Sequence, residues 1–262
     1  MDKIQVSEQF VTVSDGQVYL KRWRPTLVVG NPIILFHDSI GSVQMWRNFP
    51  EQLAERLNRE VIAYDRLGFA KSSARTDLPS NRFINEEAEK YFPQIVDSLK
   101  LENFLLFGHS VGGAMALICA NLFAYRCELV VTESAQAFVE ERTKHGIMKA
   151  SKDFENAELF SRLAKYHGEK AKWVLDAWVK VWLSPEFSSW TLSKDIKSVQ
   201  CPVLIIHGDG DEFGSEAFPA AIAESVKGHV QKEILENCGH VPHREKPELV
   251  LSMVELFIGS HL

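Results

Sequence analysis

Three polar residues, far apart in the chain, have the types and settings that nucleophilic acyl transfer requires. Ser110 stands in Gly108-His109-Ser110-Val111-Gly112-Gly113, between a strand pattern and a helix pattern. A nucleophile on so sharp a turn holds a strained backbone, so the residues two before and two after it must be small. Gly108 and Gly112 supply that room, and Gly113 lets the helix approach a neighbouring strand. The start of the helix brings N–H groups and a partial positive charge to the place where an oxyanion would form. A serine hydroxyl is a poor nucleophile until a base takes its proton. The candidate base is His240, in Asn237-Cys238-Gly239-His240, past the last strand pattern and before the last helix pattern. The candidate for the carboxylate that orients this imidazole is Asp211, in His207-Gly208-Asp209-Gly210-Asp211, directly after a buried strand.

Other residues compete for these roles. Asp209 suits the turn with Gly208 and Gly210 better than it suits the site. Glu133, at the end of Leu129-Val130-Val131-Thr132, is the alternative acid, and the pattern allows both it and Asp211 within reach of one imidazole. His37 and His207 also end strand patterns but sit closer to the strand interior, as hydrogen-bonded structural histidines. His240 and His243 have the spacing of metal ligands, but no third cluster of ligand residues accompanies them, so no metal and no cofactor is expected.

The elements that must hold these residues follow from hydrophobic periodicity. Phe10-Val11-Thr12-Val13 and Val18-Tyr19-Leu20 alternate around Ser14-Asp15-Gly16 and read as a β-hairpin. Short apolar runs at Pro32–Phe36, Val61–Tyr64, Phe104–Phe107, Leu129–Thr132 and Val203–Ile206 read as strands buried on both faces. Helix patterns lie between them: Trp46, Phe49, Leu53 and Leu57; about 86 to 99, with Pro93 a kink; and 111 to 123. A helix at 217 to 226, a strand at 233 to 235 and a closing helix from 247 to 258 complete the series. The fold class is α/β, a mostly parallel doubly wound sheet with helices on both faces. From about 139 to 199 the alternation gives way to a helical, highly charged pattern that holds Trp173, Trp178, Trp182 and Trp190. The expected organisation is therefore a core of residues 1–138 and 200–262 with a helical cap of residues 139–199 over the carboxyl ends of the strands.

Bulk properties narrow the function classes. A formal net charge of -6 argues against nucleic acid as a partner, since phosphate binding leans on clustered Lys and Arg. No apolar run approaches the ~20 residues that cross a bilayer, and the first residues lack the basic and apolar regions of a signal peptide. The four cysteines, Cys119, Cys127, Cys201 and Cys238, are scattered and read as buried free thiols. A soluble cytoplasmic protein with a small-molecule partner is expected.

Together these segments resemble the α/β-hydrolase superfamily over nearly the whole chain. The matching pieces are the strand ending Phe36-His37, Asp65-Arg66-Leu67-Gly68-Phe69-Ala70-Lys71-Ser72, the turn around Ser110, the turn ending at Asp211, and Cys238-Gly239-His240. The resemblance implies a triad of Ser110, His240 and Asp211, with the backbone N–H groups of Ser39 and Val111 as oxyanion hole. The length and tryptophan content of the cap look like the carboxylesterase and valacyclovirase branches. Asp38 stands where relatives commonly carry Gly, and a conformational role is expected for it because Asp tolerates unusual backbone angles. Ala70 replaces a second usual Gly.

A serine nucleophile removes the dehalogenase and epoxide-hydrolase routes of such relatives, which need a carboxylate. Hydrolysis of carboxylic esters is expected first, then of thioesters, lactones or amides, on small and largely apolar substrates. Phe138, Phe213 and Val241 flank the active loops and are the expected pocket residues, with Trp178 and Trp182 as candidates from an apolar helix face that could equally pack on the core. The charges Lys165, Glu169, Lys170, Lys172 and Lys180 read as a solvated face. Carbon–carbon bond hydrolysis of ring-cleavage products by the same triad is a second reading. Val241 counts against it, because such relatives usually carry Trp after the histidine. A non-catalytic receptor on this fold is the third.

Overall fold

The computed structural model describes residues 4–262. β1 (Gln5–Val13) and β2 (Gly16–Arg24) form the antiparallel hairpin read from the Asp-Gly turn, registered from Gln5 opposite Arg24 to Val13 opposite Gly16. β3 (Ile33–Phe36) leads to α1 (Phe49–Leu57) and β4 (Val61–Tyr64). The helix expected over 86 to 99 is instead α2 (Phe83–Glu86), a widened π turn over Glu87–Tyr91, and α3 (Phe92–Ser98). Pro93 has no N–H to give to the preceding turn, and the wider turn just before it absorbs the mismatch. β5 (Phe104–His109), α4 (Val111–Leu122) and β6 (Cys127–Glu133) follow.

After β6 the chain leaves the sheet for α5 (Glu141–Asp153), α6 (Ala157–His167) and α7 (Ala171–Trp182). It returns as β7 (Val203–Gly208), α8 (Ala217–Ser225), β8 (Val230–Leu235), the short α9 (Pro242–Glu245) and α10 (Pro247–His261). β8 is twice as long as its sequence pattern indicated. It is the edge strand, so Gln231, Lys232 and Glu233 need no apolar side chain. The strand order is β1-β2-β4-β3-β5-β6-β7-β8, parallel from β4 through β8.

Strand alternation divides the core into two layers. Ile34, Phe36, Phe104 and Leu106 face one layer, while Ile33, Leu35, Leu105 and Phe107 face the other. The first layer is closed by α4, α8 and the helices of the insertion, the second by α1 and α10. All the parallel strands thus end at one rim, where the loops of a doubly wound sheet converge.

The insertion is tied to that rim by His167 and Lys170. His167, buried at the end of α6, accepts from the Ala70 N–H at Nδ1 and donates from Nε2 to the Ile40 carbonyl, 2.8 Å away. Lys170 is not part of a solvated face: its ammonium bonds the Ser72 and Phe69 carbonyls, and burial pulls its pKa down. Lys172 and Lys180, by contrast, flank Asp176 on the exposed side of α7. No helix among the described residues is long and apolar enough to cross a membrane.

Candidate active site

The turn between β5 and α4 is drawn so tight that it dictates its residues. Ser110 has φ 57 and ψ −125, a conformation that costs an L-residue of the order of 1–3 kcal/mol and needs surrounding structure to hold it. A Cβ on Gly108 would sit 2.2 Å from the Gly112 carbonyl oxygen, and one on Gly112 2.2 Å from that of Phe36. Glycine is therefore required at both positions, as the spacing around Ser110 implied.

Ser110, His240 and Asp211 come together although 130 residues separate the first two. The Ser110 hydroxyl lies 3.0 Å from His240 Nε2, and both Asp211 carboxylate oxygens lie 2.9 Å from His240 Nδ1. A carboxylate only accepts, so Nδ1 carries the proton and Nε2 turns its lone pair to the serine. Asp211 is buried, as is most of His240. Burial pushes the Asp211 carboxyl up, but the charge and hydrogen bond of His240, the His207 ring and the Phe213 N–H together hold it below the ordinary value. That Phe213 N–H donates to Oδ1 over 2.8 Å and fixes the carboxylate. Asp209 does turn work, its Oδ1 accepting from the Cys238 N–H.

The remaining histidines separate cleanly. His37 accepts from the Arg66 N–H and donates to the Asp38 carbonyl, while His207 bonds the Gly214 carbonyl. Both are buried structural groups. Glu133 does not reach His240; its carboxylate contacts His243 Nδ1, in the interior behind the site. His243 is thus grouped with Glu133 and His109 rather than with His240. The ligand atoms of these three buried residues lie within 4.8 Å of one another, close enough for a cation. Each also has a partner that needs no ion: His243 bonds Glu133, and His109 bonds the His240 carbonyl and faces Asp38.

Asp38 proves to be a clamp. Its Oδ1 accepts from the Ile40 N–H at 2.9 Å, shaping the loop that carries Ser39, and its Oδ2 lies 3.4 Å from His109 Nδ1. His109 Nε2 in turn donates to the His240 carbonyl over 2.7 Å. Burial pulls the His109 imidazole down, but the hydrogen bond and charge of Asp38 outweigh it and raise its pKa above the ordinary histidine value. One ion pair thus links the loop after β3, the turn after β5 and the loop after β8. Ala70, the other departure from glycine, holds a positive φ of 34 with its N–H on His167.

A cavity of about 160 Å³ opens beside Ser110 and His240. Ser39, Phe213, Val241, Trp178 and Trp182 line it, the two tryptophans from α7. Phe138 does not. Its ring packs edge-on against Phe218 at 4.7 Å and its backbone bridges to Thr191, because the chain has already turned into the insertion there. Val111, at the first position of α4, has an N–H with no acceptor inside the helix. Gln136 and Arg244 also line the cavity, and neither was found from sequence. Nothing in an isolated Gln or in the surface-like Pro-His-Arg-Glu stretch signals a pocket.

A sequence model described as the alpha/beta hydrolase family matches residues 33–253, and the chain belongs to that family. It is 29% identical over 120 residues to a proline iminopeptidase of Lactobacillus delbrueckii subsp. lactis, and this match spans 44% of the chain but only 39% of the relative's length. It is 24% identical over 255 residues to a 2-hydroxy-6-oxo-2,4-heptadienoate hydrolase of Pseudomonas putida, covering 88% of the chain and 90% of that protein. Among solved structures, 2-hydroxy-6-oxo-6-phenylhexa-2,4-dienoate hydrolase from Rhodococcus sp. strain RHA1 superposes with a TM-score of 0.81. It covers 98% of this chain and 99% of its own at 15% identity, a likeness of fold.

Proposed function

We propose that this alpha/beta hydrolase is a serine hydrolase that cleaves carboxylic esters through an acyl-enzyme on Ser110. The observation that carries the reading is the hydrogen-bonded series from Ser110 Oγ through His240 to Asp211, ending at an open cavity. His240 Nε2 takes the hydroxyl proton as Oγ attacks the ester carbonyl, and Asp211 stabilises the imidazolium that forms. The tetrahedral oxyanion is held by the Val111 and Ser39 N–H groups. The C–O bond breaks, the alkoxide leaves with the proton from His240, and the acyl group stays on Oγ. Water, deprotonated by the same nitrogen, attacks the acyl carbonyl and releases the acid, returning the proton to Ser110. In this reading residues 139–199 are a cap, and Trp178 and Trp182 give the pocket an apolar side.

Carbon–carbon bond hydrolysis is the second reading, supported by the 24% identity to the heptadienoate hydrolase along most of both chains. Val241 in place of the tryptophan expected there keeps it second. Labelling with a fluorophosphonate, followed by rates on p-nitrophenyl esters, proline arylamides and a dienoate ring-cleavage product, tests both. Ester turnover that disappears in Ser110→Ala is the expected result. A dienoate cleaved far faster than every ester would give precedence to the second reading.

A further inference from the structure

The insertion presents Ile147, Trp178 and Trp182 to the cavity, an apolar side that suits a hydrocarbon group. Arg244, from α9, introduces the opposite chemistry into the same wall. Its Nη2 donates to the Met45 carbonyl, while its Nε is buried without a hydrogen-bond partner. Among the described residues no carboxylate lies within 4.0 Å of this guanidinium, whereas Arg22 meets Glu60 and Arg56 meets Glu248 and Glu255. The cavity's own acids do not serve it. Asp38 is committed to the Ile40 N–H and His109, and Glu212 is exposed at the rim.

Arg244 is half-buried in the cavity wall and joined to the protein by a carbonyl alone, so its guanidinium has donors left over for a ligand. Its planar fork matches a carboxylate in geometry and charge. We propose that Arg244 anchors a substrate carboxylate, so that the preferred substrates are esters carrying a free carboxylate, such as half-esters of dicarboxylic acids. The inference rests on the serine-hydrolase reading of the same cavity and narrows it: one side of the cavity takes hydrocarbon, the other an anion. Desolvation of the pair inside the cavity makes the carboxylate a selector between otherwise similar esters.

Matched pairs test this. Monomethyl glutarate against methyl pentanoate places the charge on the acyl half, and 4-acetoxybenzoate against 4-methylphenyl acetate places it on the leaving half. In at least one pair kcat/KM should favour the charged member. Arg244→Gln should cut that preference about ten- to a hundredfold, mainly through KM, with Arg244→Lys in between. Added salt should erode the preference as well. If Arg244 only braces the Met45 loop, both members of a pair fall together, and an unchanged ratio overturns the proposal. Turnover of the neutral esters with no effect of Arg244→Gln on either ratio would sink this inference and leave the hydrolase reading standing. Should no ester be turned over, that reading fails, and calorimetry with glutarate still decides the anchor. Binding weakened at least tenfold by Arg244→Gln supports it, and equal or absent binding overturns it.

Discussion

Two histidine–carboxylate pairs lie three residues apart along the chain, His240 with Asp211 and His243 with Glu133. Glu133 ends one parallel strand and Asp211 follows another, both contact Nδ1, and both are buried. They differ at the other ring nitrogen. Nε2 of His240 meets the Ser110 hydroxyl at the edge of a cavity. Nε2 of His243 is buried without a partner, and its ring is packed against Trp46 at 4.8 Å and Phe49 at 5.2 Å. The same chemical pair therefore has two uses. Where the second nitrogen reaches a nucleophile and space for a substrate, the pair can move protons. Where aromatic rings seal it, the pair can only hold β6 to α9.

The largest contrast should come from the open pair. Ser110→Ala is expected to lower ester turnover by a thousandfold or more with the melting temperature nearly unchanged. Retained activity in a clean preparation would remove the distinction between the two pairs. Asp211→Asn should cost up to about 10⁴ in kcat, the loss seen when a serine protease's orienting aspartate is amidated. Pre-steady-state kinetics should show acylation and deacylation both slowed, since His240 is the base in each.

Glu133→Gln should do the reverse. It leaves His243, whose pKa burial pulls down, facing a neutral amide in the interior, and losing a buried hydrogen bond to a charged group costs roughly 1–3 kcal/mol of stability. Urea unfolding should show that loss, while turnover at low temperature falls only a few-fold. If Glu133→Gln impaired turnover more than Asp211→Asn, the sealed pair would be the working one.

A smaller effect should separate the pairs by what joins them. Asp38 and His109 brace the His240 loop but touch neither carboxylate, so Asp38→Asn should reduce kcat about tenfold and leave KM nearly as it was. Its stability effect should depend on pH. The Asp38 carboxyl is held below its ordinary value, chiefly by His109 once burial is overcome, so its contribution is present above an unfolded value near ~3.9 and lost as pH falls through the lower folded one. His109 is shifted upward, so its contribution is complete below an unfolded value near ~6.5 and lost as pH rises through the higher folded one. The melting-temperature gap between wild type and Asp38→Asn should therefore be widest between about pH 4 and 6.5, and shrink in alkali. A gap that widened in alkali would contradict the ion pair.

The smallest expected change tests the far wall of the cavity. Trp178 stacks edge-on with Phe213, which in turn covers the His240 ring at 4.8 Å. Trp178→Ala should shift preference toward bulkier acyl groups by several-fold and alter short-ester rates little. Phe138→Ala, away from the cavity, should leave the preference unchanged.

Much of this was legible without coordinates because it is local. The run Gly108 to Gly113 marks a strand-to-helix turn by residue type alone, although only the Gly108 contact is local and Gly112 is required by the distant Phe36 carbonyl, and the apolar runs encode strands whose order of appearance carries Ser110, Asp211 and His240 to one rim. Tertiary structure alone decided the partnerships. Asp211, just after a buried strand, was the favoured acid in sequence and Glu133, at the end of another, the alternative; which imidazole each meets depends on how loops 29 and 110 residues away settle over the sheet. Phe138 was adjacent to the site in sequence and turned away from it in space, whereas Arg244, in a stretch that reads as surface, lines the cavity. Periodicity reports which face of an element is apolar, a property of neighbouring residues. What that face or loop meets is set by long-range packing, and no spacing within the chain encodes it.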